Sequence, residues 1–320
     1  MDNITITKKS KSSKMLLLII SAAALAVLLF FFVIRPLTAL ASGNYKVYIN
    51  TYNIKEFEIK NGVTEIKDEA FLGCDSLERI SIPNTVTSIG SNAFKGCHFS
   101  EFAIHANATG ATKDVQIVAD TVRVFGDAGS IVHEDAFSNL TYFAKLIFEE
   151  GISQIHMTSL KNPRGGVEVQ LPSTLDLISP DSFSQLYIDK LIVHADATDA
   201  TKELKGRVYN IIVVGDGKSS VSSYAFSSFT DVKSLTVGSG VTELGSYLFS
   251  GETRNIDVYI PIAFKSFSRH TFADPTSYIY QPIYIANIYY EGNIHAWGRI
   301  TNHSSADSTA YMNYHCEITY

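Results

Sequence analysis

The chain has 320 residues, 46% of them apolar and 18% charged, with a formal net charge of −6. That composition can fill a continuous core and excludes a disordered or collagen-like chain; without a basic excess, nucleic acid is not expected as a partner. Three cysteines are too few for a disulfide scaffold or a four-cysteine zinc site.

The first element in chain order is a basic tail, 1–14, in which Lys8, Lys9, Lys11 and Lys14 precede an uncharged run from Met15 to Ile34. Twenty helical residues at about 1.5 Å each cross the roughly 30 Å hydrocarbon layer. Lysines before the run, with Arg35 alone behind it, put the tail in the cytoplasm and the rest of the chain outside. Two readings of 15–34 stand. As a transmembrane helix it leaves a membrane-anchored protein with an extracytoplasmic domain; as a signal sequence cut after Ala39-Leu40-Ala41 it leaves a secreted one. Tyr45 to Ile54 then reads as a capping strand or hairpin.

From there the chain repeats itself. Val63-Thr-Glu-Ile-Lys-Asp-Glu-Ala-Phe71 returns as Val86-Thr-Ser-Ile-Gly-Ser-Asn-Ala-Phe94, and weaker copies end at Phe137, Phe183, Phe226, Phe249 and Phe272. A longer period lies above this one. Ile104-His-Ala-Asn-Ala-Thr-Gly-Ala-Thr-Lys113 matches Val193-His-Ala-Asp-Ala-Thr-Asp-Ala-Thr-Lys202 at an offset of 89, which also carries Phe94 to Phe183 and Phe137 to Phe226. Residues 63–151 and 152–240 are therefore two copies of one four-turn block, and a third copy begins at Val241.

Each unit holds a short alternating stretch, such as Ile80-Ser81-Ile82, Leu146-Ile147-Phe148 or Leu235-Thr236-Val237. Apolar flanks at period two mark a strand with one buried face. So short a strand cannot stand alone and must pair with its copy one turn away, at about 4.8 Å. The expected fold is thus a repeat solenoid over 45–300, α/β or β-rich, with one short parallel strand per turn, and a tail at 301–320. Val63, Ile66, Ala70 and Phe71, with Val86, Ile89, Ala93 and Phe94, are expected to fill the wedge behind the strands. Tyr278, Tyr280, Tyr284, Tyr289, Tyr290 and Trp297 break the 89-residue register and are expected to cover the last turn.

The unit Leu77 to Cys97 (LERISIPNTVTSIGSNAFKGC), the segment AFLGC at 70–74 and the ending Ile288-Tyr-Tyr-Glu-Gly-Asn-Ile-His-Ala-Trp297 resemble the BspA-like class of leucine-rich repeats. The resemblance covers about residues 55 to 300, and the unit length of 20 to 24 lies in the leucine-rich-repeat range. It implies a surface protein that adheres to host or matrix proteins. The block containing His105 and the N-terminal apolar run depart from that class.

Catalytic signatures are missing from the sequence: no G-x-S-x-G, P-loop or G-x-G-x-x-G context occurs. His105 and His194 are copies four turns apart, too distant to share a metal ion, and are expected to make local turn hydrogen bonds. His295, His303 and His315 lie near Glu291 without ligand spacing, so neither metal nor cofactor is expected. Asp127 and Asp216 read as turn formers. Cys74 and Cys97 occupy equivalent places on adjacent turns and are either buried free thiols or a disulfide; Cys316 lies in the tail.

The middle residues of the strands point away from the core and line one face: Glu58, Ser81, Ala103, Arg123, Ile147, Gln170, Ile192, Ile212, Thr236 and Tyr259. From Arg123 to Tyr259 this row is the expected partner-binding surface, because contiguous apolar surface marks interaction sites and solenoids bind along this face. The sequence therefore points to a non-catalytic cell-surface module that binds a protein ligand. The alternatives are a structural component of the cell envelope without a soluble ligand, and an enzyme of unrecognised type.

Overall fold

The computed structural model describes residues 24–41, 43–158, 160, 165–249, 255–273, 285–300 and 313–316, with only the backbone of 36, 39, 40 and 313–316. The tail 1–14 and the first part of the apolar run, 15–23, lie outside the described residues. From 24 to 41 the chain is helical, with a π-helical turn at Phe30–Ile34, and Leu25, Phe31 and Ile34 are about half exposed. Among the described residues no helix is long and apolar enough to cross a membrane.

The rest winds into turns whose strands stack in one fourteen-stranded sheet. Its ladder runs in chain order through Glu56–Glu58, Arg79–Ile82, Phe99–His105, Ile117–Phe125, Lys145–Phe148 and Val167–Gln170. It continues through Tyr187–His194, Gly206–Val214, Ser234–Val237, Ile256–Ile260, Ile285–Tyr290 and Asn313–Cys316. Every neighbouring pair is parallel, as repetition demands when each turn delivers its strand in the same direction. The ladder passes residue 300, since Asn313–Cys316 pairs with Ile285–Tyr290 inside the segment read as a tail.

One strand per turn understates the fold. Most Val-Thr-x-Ile segments are strands too, and they form three small parallel sheets: Glu65–Ile66 with Ser88–Ile89; Ser130–Val132 with Ile152–Ile155 and Leu177–Ile178; and Ser219–Val221 with Val241–Leu244 and Ser266–Phe267. Their β-branched residues alternate with polar ones, so the same physics that makes the main ladder makes a second one behind it.

The gaps between these small sheets explain the 89-residue period. At each gap the turn carries a 3₁₀ helix, Ala106–Thr112 or Ala195–Ala197, in place of a second strand. A helix cannot offer its carbonyls sideways, so buried threonines do it instead. Thr109 Oγ1 accepts the backbone N–H of His133 at 3.0 Å, Thr112 Oγ1 that of Phe137 at 2.8 Å, and Thr198 Oγ1 that of Ser222 at 2.9 Å. Thr201 donates to the carbonyl of Ala225 at 2.8 Å. All four threonines are fully buried, where an unpaired polar group would be costly.

The core is a column between the two ladders. Phe71, Phe94, Phe137, Phe183, Phe226, Phe249 and Phe272 are at most 2% exposed, and neighbouring rings approach closely, 5.4 Å for Phe71–Phe94 and 6.0 Å for Phe226–Phe249. Ile66, Ala70, Val86, Ile89 and Ala93 are buried beside them, whereas Val63 in the first turn is only partly covered. Where turns touch, side chains are excluded. Gly151 sits at φ +99° and a Cβ on it would lie 2.6 Å from the carbonyl oxygen of Gly126.

Toward each end a short helix lays an aromatic ring against the column. The segment expected as a capping strand is an α-helix, Tyr45–Tyr52, terminated by Asn53 in the left-handed conformation. Tyr45 and Ile49, one helical turn apart, are its buried residues, and the Tyr45 ring stacks on Phe71 at 4.8 Å. At the other end Tyr290 and Trp297 are buried, 5.5 Å apart, with Trp297 against Phe267 at 6.1 Å. Tyr278, Tyr280 and Tyr284 lie outside the described residues.

Candidate binding face

Strand alternation places two rows on the open face of the main sheet. Strand register joins Glu58 to Ser81, Ser81 to Ala103, Ala103 to Arg123, Arg123 to Ile147 and Ile147 to Gln170. It continues from Gln170 to Ile192, Ile212, Thr236 and Tyr259, and then to Tyr289. The residues singled out from sequence, Arg123, Ile147, Gln170, Ile192, Ile212, Thr236 and Tyr259, are consecutive members of this row. Tyr259 is 40% exposed and the other six are half-buried. Tyr259 and Tyr289 stack at 4.7 Å with ring planes 10° apart.

The second row lies two residues earlier on each strand and is made of paired charges and polar groups. Glu168 holds Lys145 and Lys190, each at 2.7 Å. Further along, Ser234 donates to the Asn210 side chain at 2.8 Å, and Asn287 donates to Asp257 at 2.7 Å. This row crosses into the first at Arg123, which binds Glu101 at 2.8 Å and Glu149 at 3.0 Å. Partial burial works against the guanidinium, but the two carboxylates more than offset it and hold its pKa above the ordinary value. Sequence reasoning missed this row, although its signal was present as opposite charges recurring 22 to 26 residues apart.

The face therefore changes along its length. Over Ser81 and Ala103, where the middle row is short, a hollow of about 340 Å³ opens between Glu56, Glu58, Arg79, Glu101 and Arg123. From Ile147 to Tyr289 the middle row carries no charge and its side chains are longer.

The other sequence candidates lie elsewhere. His105 and His194 each begin a 3₁₀ turn, their Nδ1 accepting the backbone N–H of Asn107 at 3.2 Å and of Asp196 at 3.3 Å, as the repetition suggested. Asp216 shapes its turn by accepting from Ser219 Oγ at 2.9 Å, while Asp127 faces His105 Nε2 at 3.4 Å. Cys74 and Cys97 are free, buried thiols and not a disulfide in this structure; Cys97 donates instead to the carbonyl of Phe71 at 3.0 Å. His295 is exposed on the helix Ile294–Trp297, and the side chains of His303, His315 and Cys316 lie outside the described residues. Among the described residues no group of three or more His, Cys, Asp or Glu could hold a metal ion.

A family model described as the BspA type leucine-rich repeat region matches in six copies, over residues 43–114, 125–204 and 207–291. Among solved structures, the chain is similar to a leucine-rich repeat protein from Bacteroides ovatus, with 14% identity over 82% of this chain and 84% of that one and a TM-score of 0.32. It is similar also to the pneumococcal vaccine antigen PcpA, with 14% identity over 84% and 68% and a TM-score of 0.29. A third is a leucine-rich cell surface protein from Faecalibacterium prausnitzii, with 13% identity over 77% and 82% and a TM-score of 0.18. No curated protein matches the chain.

Proposed function

Because the chain belongs to the BspA-type leucine-rich repeat family, we propose that it is a non-catalytic cell-surface module that holds a protein ligand, such as a host or matrix protein, against the open sheet face. One observation carries this reading: from Ile147 to Tyr259 consecutive turns present an uncharged row in register beside a row in which Glu168 holds Lys145 and Lys190 and Asp257 accepts from Asn287. A partner laid on this strip covers apolar surface without stripping water from an unpaired charge, which is the favourable way to form an interface core. Arg123, tied to two carboxylates, forms its polar border.

In the same proposal residues 15–34 hold the solenoid to the outer side of a membrane. The lysines at 8–14 support that orientation, and so does the exposure of Leu25, Phe31 and Ile34, since a helix apolar all round is stable only when it is covered. Removal of the segment as a signal would release the same module in secreted form.

Binding of the detergent-solubilised full chain to purified matrix and cell-surface proteins tests the proposal. Saturable binding to at least one of them is expected, and Ile192→Lys with Ile212→Lys should weaken it at least tenfold while the unfolding midpoint stays within the range of ordinary surface changes. Binding that survives both substitutions, or no saturable binding at all, refutes this face as the ligand site.

A further inference from the structure

Cys74 and Cys97 close the Ala-Phe-x-x-Cys segments of adjacent turns, next to the N-terminal cap. The two segments are laced together by backbone hydrogen bonds from Phe71 to Ala93 at 2.8 Å and from Gly73 to Lys95 at 2.9 Å. Gly73 and Gly96 turn the two segments in the left-handed region, at φ +67° and +84°. Both thiols are buried, at 0% and 4% exposure. Cys97 reaches across the turn boundary to donate to the carbonyl of Phe71, three residues before Cys74, at 3.0 Å.

We propose that Cys74 and Cys97 are a redox couple, closed by a small-molecule disulfide into a cross-turn disulfide that locks the first turns of the solenoid to one another. With oxidised glutathione, the thiolate of one cysteine attacks one glutathione sulfur, and the other departs as a thiolate that takes up a proton. The second cysteine then releases its proton to solvent, and its sulfur displaces the remaining glutathione, which leaves as a thiolate and takes up a proton in turn. Two protein S–H bonds become one S–S bond, and the reagent's S–S bond becomes two thiols. Because neither sulfur is accessible in the folded turns, closure happens when the N-terminal turns open or first fold. The disulfide then joins residues 23 apart and limits how far those turns can reopen.

The experiment refolds the full chain, carrying Cys316→Ser, in buffers of oxidised and reduced glutathione, with intact mass and proteolytic peptides measured after alkylation. Loss of two hydrogens with a linked peptide pair containing Cys74 and Cys97 is expected in the oxidised buffer. The urea midpoint should rise on oxidation, and the rise should vanish in Cys74→Ser, whose reduced form controls for folding. Alkylation of both thiols after oxidative refolding, or glutathione adducts that never resolve, overturns the couple. A linked pair without any rise in midpoint overturns the lock.

Discussion

The phenylalanine column and the outward row are built by the same turns under different constraints. Phe71, Phe94, Phe137, Phe183, Phe226, Phe249 and Phe272 recur in the column, and buried Leu160 takes the equivalent place on a turn between Phe137 and Phe183. Along the same solenoid the outward row passes from Glu58 through Ser81, Ala103 and Arg123 to Ile147, Gln170, Ile192, Ile212, Thr236 and Tyr259. An inward side chain must fit the buried neighbours of the turns above and below it at a strand spacing of about 4.8 Å. An outward side chain has to tolerate a strand and avoid facing a like charge, and little else. Repetition along this chain thus records packing, and the positions where it fails are those free to take up specificity.

Core truncation is the strongest way to break that comparison. Phe183→Ala should lower stability by about 3–5 kcal/mol, through lost transfer energy and a cavity the stacked turns cannot close, whereas Ile212→Lys should stay within about 0.5 kcal/mol. Urea unfolding of both variants checks it, and similar losses would show that the two faces are not under different constraints. A smaller effect tests the helical turns. Thr112→Val keeps shape but removes the acceptor of the buried Phe137 N–H, which should cost about 1–3 kcal/mol. The same change at exposed Thr141 should cost well under half of that, measured by the same unfolding curves.

What could be read beforehand follows the same division. Alternation inside short segments spaced 20 to 24 residues apart was enough to predict the main ladder and the order of its outward row, because parallel register repeats whatever one turn does. The second ladder was hidden: Glu65–Ile66 is only two residues long and has no strand character until Ser88–Ile89 lies beside it. The block at His105 could be recognised as repeated but not understood, since the partners of Thr109 and Thr112 lie 24 and 25 residues further on. Tyr45–Tyr52 misled for a local reason. Its tyrosines, valine and isoleucine favour a strand, and only the open end of the column, where Tyr45 and Ile49 are buried together, makes the helix pay off. The binding reading itself rested on which residues share a face, and the charged row that frames them is visible only when pairs from different turns are brought together.

The smallest expected effect sharpens the comparison on the outward side, at Glu168. Its side chain is 21% exposed between Lys145 and Lys190. Burial alone pushes its carboxyl up, but the hydrogen bonds and charges of the two lysines outweigh this and leave the pKa below the ordinary carboxylate value. A carboxylate with a depressed folded pKa stabilises the fold above its unfolded pKa, near 4.3, and that contribution is lost as pH falls through the folded value. Since both lysines are more than a third exposed, solvent screening keeps the contribution to about 0.5 kcal/mol. Glu168→Gln should therefore lower the unfolding midpoint slightly at pH 7, and the difference should shrink as pH falls through the folded pKa of the carboxyl. Added salt should shrink the difference at pH 7. If the variant differs equally from wild type at every pH down to acid unfolding, Glu168 acts through shape and not through charge, and its place on the outward face obeys the packing rule of the core after all.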